Sequence, residues 1–150
     1  MAAPCFTPVG PHLQANQYKC AASQTIAIGD MVTLNSSGLV EIADASSTTL
    51  LGAAASSVTS SASGDAIVVY DDPHALFLAQ ASASASQTLV GKTRDLSGAT
   101  GAQKVNIGAT SVNCLKIRQV YNNLDSSSSL SAAADGRKVL VAIALHSLPQ

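Results

Sequence analysis

The sequence predicts an all-β fold, either a small barrel or a sandwich. Two observations support this class, and the chain length adds the number of domains. About eight or nine runs of strand length are separated by turn residues, as in all-β domains. The sequence shows no apolar spacing typical of an amphipathic helix of ordinary length. The chain has 150 residues, which suits one domain rather than two.

The first part of the chain, residues 1–22, is predicted to be an irregular, extended arm. It contains Pro4, Pro8 and Pro11 and shows neither a strand period nor a helix period. It also lacks the basic and apolar regions of a secretion signal. We therefore divide the chain into an N-terminal arm at 1–22 and a single β domain at 23–150.

Three short strands are predicted after the arm, at 25–28, 31–34 and 39–42. In the second and third strands, apolar residues alternate with Thr33 and Glu41, which places the apolar side chains on one face of a sheet. The residues between these two strands are Asn, Ser, Ser and Gly. This composition is typical of a hairpin loop.

The middle of the chain is predicted to contain a further hairpin. Residues 65–70 form the clearest strand, DAIVVY, and 76–80 return as its partner. The run 49–58 is compatible with a short helix or a strand, because alanine favours one and valine and threonine favour the other. We favour the strand. The alternating Ala and Ser of 81–87 bury little area, which is typical of a flexible loop.

Four more strands are predicted in the last part of the chain, at 88–90, 105–107, 115–121 and 137–145. Residues 95–103 between the first two are rich in turn formers. In the third strand the apolar alternation changes parity at Val120, which indicates a β-bulge. Residues 122–136 form a polar, Ser-rich excursion. The last strand is apolar on both faces, as in a central strand of a sheet.

Charge and aromatic content narrow the range of functions. Charged residues make up 11% of the chain and the formal net charge is -1, so no basic field attracts nucleic acid. Aromatic residues make up 3%, with no Trp, which removes the usual stacking surfaces for bases and sugars. The longest apolar runs are shorter than the roughly 18 residues that predict a transmembrane helix. With so few charges, we expect other chains to cover much of the surface.

The motifs of nucleophilic, metal and phosphate chemistry are weak or missing in the sequence. No G-x-S-x-G turn occurs. The run 71–74, Asp-Asp-Pro-His, is the only local cluster of metal-ligand types, and a turn explains it more simply. The segment 98–104 resembles a phosphate loop but lacks the adjacent Gly-Lys-Ser/Thr, so a loop is the better interpretation. We predict no catalytic residue, no metal, no cofactor and no small-molecule substrate.

Cysteine and histidine usage points to structural roles. Cys5, Cys20 and Cys114 are an odd number without C-x-x-C spacing, which argues against a disulfide framework and a zinc site. We therefore predict reduced, structural thiols. His12 and His146 are interpreted as surface or interface residues.

Several short motifs follow one another in a definite order. A G-D-x-V-x-L strand precedes a G-x-V strand, an alanine-rich segment, a second Gly-Asp strand and a D-P-x-x-x-F-x-x-Q segment. They lie at 28–34, 38–43, 51–55, 64–70 and 72–80, and two closing strands follow at 115–120 and 138–143. This order resembles that of the small capsid decoration proteins, or cement proteins, of tailed bacteriophages, over about residues 24–145. The Pro-rich start and the Ser/Ala tracts depart from that pattern.

The resemblance implies a small β-barrel or β-tulip-like subunit, usually a homotrimer, that sits on the outside of the assembled capsid. There it stabilises contacts between subunits of the major capsid protein, and this role requires no enzymatic activity. The implied location is the virion surface, after synthesis in the bacterial cytoplasm. We expect the N-terminal arm, in the region of Phe6, Leu13 and Tyr18, to add a strand to a neighbour's sheet.

Two other classes of function are left open. The main alternative is an all-β receptor- or glycan-binding module of a phage fibre or spike, which would be expected to show aromatic or carboxylate-rich loops. The other is a trimeric all-β hydrolase of the dUTPase type. Its Asp-centred motif and glycine-rich tail are not visible in the sequence.

Overall fold

The computed structural model describes residues 4–11, 13–83, 85–121 and 138–146. Within them the secondary structure is almost entirely β, which confirms the all-β prediction. One short 3-10 helix occurs at Gln87–Leu89. The strands are β1 (Phe6–Val9), β2 (Ala15–Lys19), β3 (Thr25–Ile26), β4 (Met31–Leu34), β5 (Val40–Ile42), β6 (Gly52–Ala54), β7 (Val58–Thr59), β8 (Ala66–Tyr70), β9 (Leu76–Gln80), β10 (Thr93–Ser97), β11 (Lys104–Asn106), β12 (Leu115–Tyr121) and β13 (Lys138–Ile143).

In the described residues, the strands form two large sheets and one small one. The six-stranded sheet has the order β1-β9-β13-β12-β10-β11, and the five-stranded sheet has the order β2-β8-β6-β4-β5. β3 and β7 pair as a separate two-stranded sheet. β13 pairs with both β9 and β12. The prediction of a central strand near the end of the chain is therefore confirmed.

The apolar side chains of the sheets form two buried clusters. The larger cluster includes Phe6, Phe77 and Ile117 of the six-stranded sheet. The smaller cluster includes Val32 and Ile67 of the five-stranded sheet. In β8, β9 and β13, buried positions alternate with more exposed ones. This is the period expected of strands that turn one face to a core.

The prediction of an irregular arm at 1–22 is wrong for the residues described there. β1 pairs with β9 at the edge of the six-stranded sheet, and β2 pairs with β8 at the edge of the five-stranded sheet. Pro8 is tolerated in β1 because its position faces away from β9, where no N–H is needed. The N–H of Phe6, two residues earlier on the same side, is likewise turned away from β9 and bonds to Gly29. This segment is therefore an integral part of both sheets.

The predicted hairpin between 65–70 and 76–80 is also wrong, because β8 and β9 belong to different sheets. The chain crosses between the sheets through the predicted turn. There the Asp72 carboxylate accepts a hydrogen bond from His74 N at 2.8 Å, and the Asp72 carbonyl accepts one from Ala75 N at 3.0 Å. Each strand places its apolar residues in a different buried cluster, so a crossing buries both sets.

Two local predictions are confirmed in detail. β4 and β5 form a hairpin, and the carbonyl of Asn35 accepts a hydrogen bond from Gly38 N at 3.0 Å in the loop between them. Gly38 has a φ of +76°, which glycine adopts without strain. In β12, the register against β13 shifts between Ile117 and Gln119. This is the bulge that the change of parity at Val120 predicted.

Two elements around residue 90 differ from the prediction. Residues 88–90 are not a strand, because the backbone N–H groups of Leu89 and Val90 bond to carbonyls three residues earlier, as in a 3-10 helix. β10 then begins at Thr93, partly inside the run predicted to be turns. Arg94 in β10 bonds to the carbonyl of Ile107 at 2.8 Å, a contact distant in sequence that local composition does not show.

Three further segments were predicted from the sequence, at 49–58, 81–87 and 122–136. The run 49–58 contains two short strands, β6 and β7, so the favoured interpretation is confirmed. At the start of 81–87, Ala81 forms a bridge with Val105, so this end of the predicted loop is tied to β11. The predicted excursion at 122–136 lies outside the described residues.

The two edge strands of the five-stranded sheet meet at one point. Cys20, which directly follows β2, forms a parallel bridge with Val40 of β5. Ala21 N donates a hydrogen bond to the Val40 carbonyl at 2.9 Å. Within the described residues, the pairing does not continue along β2, so the sheet does not close as a barrel by continuous hydrogen bonding.

Candidate functional site

An exposed apolar groove lies between β1 of the six-stranded sheet and β6 of the five-stranded sheet. We call it the β1 groove; its volume is about 460 Å³. Leu13 and Ile28 contribute to it and are 49% and 52% exposed, although they are large apolar side chains. Among the described residues, no charged side chain lines the groove. Its lining includes Phe6, Thr7, Leu13, Ile28, Ala54 and Tyr70.

Gly29 fixes the backbone beside the groove. Its N–H donates to the Ala54 carbonyl at 2.8 Å, and its carbonyl accepts a hydrogen bond from Phe6 N at 2.9 Å. Its φ is +91°, a region that favours glycine. A Cβ at this position would lie 2.5 Å from the Cβ of Pro4. The close approach of the N-terminal chain therefore also requires a glycine here.

The three residues predicted to contact a neighbour lie in different environments. Phe6 is fully buried in the core of its own chain at the base of the β1 groove, and its contact with a partner stays a prediction. Burial of such a large apolar ring stabilises the chain itself. Leu13 lies on the β1 groove. Tyr18 lies on β2 and does not line the groove, so the structure does not bring the three residues together.

Tyr18 belongs to a polar cluster that fastens β2 to the end of β8. Its hydroxyl donates to the carboxylate of Asp71, and Asn16 Nδ2 donates to the two oxygens of the same carboxylate at 3.0 and 2.9 Å. Asp71 is buried. Burial, and then the contact with the Asp71 carboxylate, raise the pKa of Tyr18 well above its usual range.

The glycine-rich segment 98–104 bonds to groups of its own chain. Gly101 N donates to the two oxygens of the Asp30 carboxylate at 3.0 and 3.2 Å, and Ala27 N donates to the same carboxylate at 2.9 Å. The amide of Gln103 is buried and bonds to the backbone of Met31. The segment is therefore the structural loop that the sequence favoured over a phosphate loop.

A second cavity, of about 270 Å³, lies beside Cys5 and is lined in part by Lys104 and Lys138. Burial raises the pKa of the Cys5 thiol, which keeps it in the less reactive protonated form. Burial has the same effect on the pKa of Cys20 and of Cys114. All three cysteines are free, so the prediction of unpaired structural thiols is confirmed.

Asp95 organises the loop that follows β11. Its carboxylate accepts hydrogen bonds from the backbone N–H groups of Ser111, Val112 and Asn113, at 2.9, 3.0 and 2.7 Å. Burial by itself would raise the pKa of Asp95, but the three N–H groups together lower it below its ordinary value. These bonds assign the carboxylate a structural role in this loop.

The described residues contain no group of three or more His, Cys, Asp or Glu side chains positioned to hold a metal ion. The run 71–74 forms the predicted turn, with His74 Nδ1 3.7 Å from the Asp72 carboxylate. His146 forms a bridge with Leu50, and His12 lies outside the described residues. In the part of the chain that is described, no helix has the length and apolar character of a membrane span.

Sequence reasoning missed the contribution of Ile28 to the groove. The sequence predicts one strand over 25–28, which includes both Ile26 and Ile28. In the structure the strand ends at Ile26, which is buried. The side chain of Ile28 is instead exposed to solvent. The Gly29-Asp30 pair that follows is a turn signal, and it could have indicated an earlier end of the strand.

No protein-family model matches this chain, and no curated protein matches it either.

Proposed function

We propose that this chain is a structural virion protein that binds the outside of an assembled phage capsid and stabilises contacts between major capsid protein subunits. The observation that carries this proposal is the β1 groove, an exposed apolar surface without charge on its lining. A protein that covers a seam between other chains needs such a surface and needs no reactive group. The order of motifs that resembles decoration proteins supports the same role.

The environment of the buried carboxylates also supports a structural role. Asp30, Asp71 and Asp95 are buried, and each accepts hydrogen bonds from groups of its own chain. A general acid or base has to reach a proton of the substrate. These three carboxylates instead hold loops and strands together.

Binding of this kind stabilises the shell by mass action. A protein that binds only the assembled lattice adds its association free energy to that state. We propose that the chain acts as a homotrimer on the virion surface, as the resemblance implies. Three linked copies increase the total affinity for the capsid even when the affinity of each single contact is low.

Co-sedimentation tests the proposal. The chain is mixed with expanded capsids assembled from the major capsid protein of the same phage, and the pelleted fraction is measured over a range of concentrations. The double substitution Leu13→Asp and Ile28→Asp should weaken binding at least about tenfold, because it forces unpaired charge into the contact. Val90→Asp is the matched control, since Val90 is an exposed apolar residue outside the groove.

The results of these binding experiments distinguish the candidate functions. A chain that stays in the supernatant at every capsid concentration overturns the capsid-binding proposal. Binding to host cells or to a glycan array, without binding to capsids, favours the receptor-binding alternative. Equal loss of capsid binding in the Val90→Asp control overturns the assignment of the groove as the contact surface.

A further inference from the structure

Three polar side chains form a row across the six-stranded sheet. Lys138 of β13 lies opposite Gln80, the last residue of β9. Ala81, the next residue, forms a parallel bridge with Val105 of β11. Lys104, which precedes Val105, is therefore beside Gln80 on the side away from Lys138. Neighbouring strands lie about 4.8 Å apart, so the backbones of the two lysines are about 10 Å apart, with Gln80 between them.

The side chains of this row share the outer face of the sheet. Each member is followed directly in the chain by a fully buried residue of the larger cluster, namely Ala81, Val105 or Val139. Successive residues of a strand point to opposite faces of a sheet. Because the buried neighbours point into the core, Lys104, Gln80 and Lys138 point away from it.

The row forms one wall of the cavity of about 270 Å³ beside Cys5. We call it the lysine cavity; Pro4 and the loop residues 101–103 complete its lining. Among the described residues, no Asp or Glu side chain lines it. The carboxylate of Asp30 is buried and accepts a hydrogen bond from Gly101 N at 3.0 Å, so this carboxylate is engaged with the loop instead.

The charge on the lining of this cavity is positive. The chain has only eight Lys and Arg residues, and two of them border this one space. Burial raises the pKa of the Cys5 thiol, so this group stays neutral near pH 7. Two ammonium groups that extend towards one space repel each other, whereas an anion between them is attracted to both. The cavity therefore suits a negatively charged group.

The size of the cavity favours a single acidic side chain. Drug-sized ligands occupy pockets of about 300–1,000 Å³, and the lysine cavity, at about 270 Å³, is smaller. A carboxylate has two oxygens that accept hydrogen bonds, and a lysine ammonium group only donates them. Lys104 and Lys138 can therefore reach one carboxylate from two sides. Gln80 between them is uncharged, so it does not repel the anion.

The lysine cavity is adjacent to the β1 groove. Pro4 lines both of them, so they lie on the two sides of the N-terminal chain. The groove lining is apolar and carries no charge, and the cavity lining carries two positive charges. A protein that covers the groove can place an acidic side chain in the cavity. In such an interface the apolar contact supplies area, and the charged contact fixes the orientation of the two proteins.

We propose that the lysine cavity binds the carboxylate of an Asp or Glu side chain of the protein to which this chain attaches. The carboxylate lies between Lys104 and Lys138 and forms a salt bridge with each. That the attached protein is the major capsid protein rests on the proposed function. The preference of the cavity for a carboxylate does not rest on it and is tested with a peptide alone.

A peptide titration tests the cavity without capsids. The peptide acetyl-Gly-Glu-Gly-amide is added to the isotope-labelled chain, and the NMR shifts of the backbone amides of Gly101 and Lys104 are followed. We expect saturable shifts with this peptide and at least about fivefold weaker binding of acetyl-Gly-Gln-Gly-amide, because the neutral peptide loses both salt bridges. Inorganic phosphate, titrated in the same way, distinguishes a site for a free oxyanion from a site for an acidic side chain.

Two double variants test the role of the lysines. Lys104→Gln with Lys138→Gln removes both charges from the cavity and should weaken binding of the Glu peptide at least about fivefold. Lys92→Gln with Lys116→Gln removes the same net charge at exposed positions outside the cavity and should stay within about twofold of the parent. The dispersion of the amide signals shows that both variants are folded.

The same variants are then compared in co-sedimentation with capsids. The cavity variant should bind capsids at least about fivefold more weakly than the control variant at low salt. This difference should shrink as the salt concentration rises, because salt screens the charges.

Three results of the titration would overturn the inference. They are equal binding of the Glu and Gln peptides, unchanged binding of the Glu peptide by a folded cavity variant, and binding of phosphate at least about tenfold tighter than that of the Glu peptide. Equal capsid binding by the cavity and control variants would overturn the contact of the cavity with the capsid protein. A parent chain that does not bind capsids overturns the proposed function instead, and the peptide titration still decides whether the cavity binds a carboxylate.

Discussion

The side chain of Gln103 takes the place of a neighbouring strand for the backbone of Met31. Its Oε1 accepts a hydrogen bond from Met31 N at 2.6 Å, and its Nε2 donates to the Met31 carbonyl at 3.3 Å and to the Ala43 carbonyl at 2.9 Å. Gln103 is only 2% exposed. Because it directly precedes β11, these bonds join the two large sheets through buried polar contacts, which are costly to lose.

Replacement of Gln103 should therefore reduce stability strongly. We expect Gln103→Leu to lower the free energy of unfolding by about 3 kcal/mol, because buried groups of Met31 and Ala43 lose their partner. Urea denaturation followed by circular dichroism measures this change. Gln87→Leu, at an exposed position, should stay within about 0.5 kcal/mol of the parent. Equal effects of the two substitutions would contradict the bridging role.

The hydroxyl of Tyr18 should contribute to stability through Asp71. Tyr18→Phe leaves the buried Asp71 carboxylate with one donor fewer, and we expect a loss of about 1–3 kcal/mol in the free energy of unfolding. Tyr70→Phe removes a hydroxyl that does not bond to Asp71 and serves as the control. A Tyr18→Phe protein as stable as the Tyr70→Phe protein would be evidence against the cluster.

The raised pKa of Tyr18 predicts its behaviour in alkali. The folded pKa lies above the unfolded value of about 10, so this contribution to stability is complete below about pH 10 and is lost as the pH rises through the folded pKa. Tyrosinate absorbance, compared between the parent and Tyr18→Phe, measures the difference. We expect the parent to contain one additional phenol that ionises late or only on unfolding. An additional phenol with an ordinary pKa contradicts this expectation.

Asp95 should make stability depend on acid pH. Its folded pKa is lowered, so its contribution is present above the unfolded value of about 3.9 and is lost as the pH falls through the folded value. Asp95→Asn should cost about 2 kcal/mol near pH 7, and the difference from the parent should shrink below about pH 4. Asp65→Asn, at an exposed position, is the control. A difference that stays constant across this range argues against the assignment.

Two glycines allow the cost of a positive φ to be distinguished from the cost of a steric clash. Gly29 and Gly38 both have positive φ, at +91° and +76°, but only a Cβ at Gly29 would meet other atoms. Gly38→Ala should cost about 1 kcal/mol, and Gly29→Ala should cost about 2 kcal/mol more. Thermal unfolding compares them. Equal losses would mean that the N-terminal chain moves away from Gly29 without cost.

Much of the secondary structure was predictable because the signal is local. Alternation of apolar and polar residues with β-branched types identified β4, β8 and β12 directly. The pairing of strands with one another was not predictable in this way. β8 and β9 look like a hairpin in sequence, and only the two separate buried clusters show why the chain crosses instead.

The N-terminal strands were missed for a related reason. Proline suggests an irregular segment unless the strand is known to lie at an edge, and edge position is a property of the whole sheet. Among the residues of the β1 groove, Leu13 was predicted from the sequence to contact a neighbour, and Ile28 was not. The apolar spacing of a strand continues in the sequence to Ile28, although β3 ends at Ile26.

The pairing of β1 with β9, and of β9 with β13, has a consequence for synthesis on the ribosome. β1 is made first, yet its partner is complete only after residue 80, and that partner gains its second neighbour only from 138 onwards. Assembly of this sheet must therefore wait until nearly the whole chain has emerged. A nascent or shortened chain that lacks β13 leaves β9 with an unpaired side, and such intermediates fold slowly and aggregate readily.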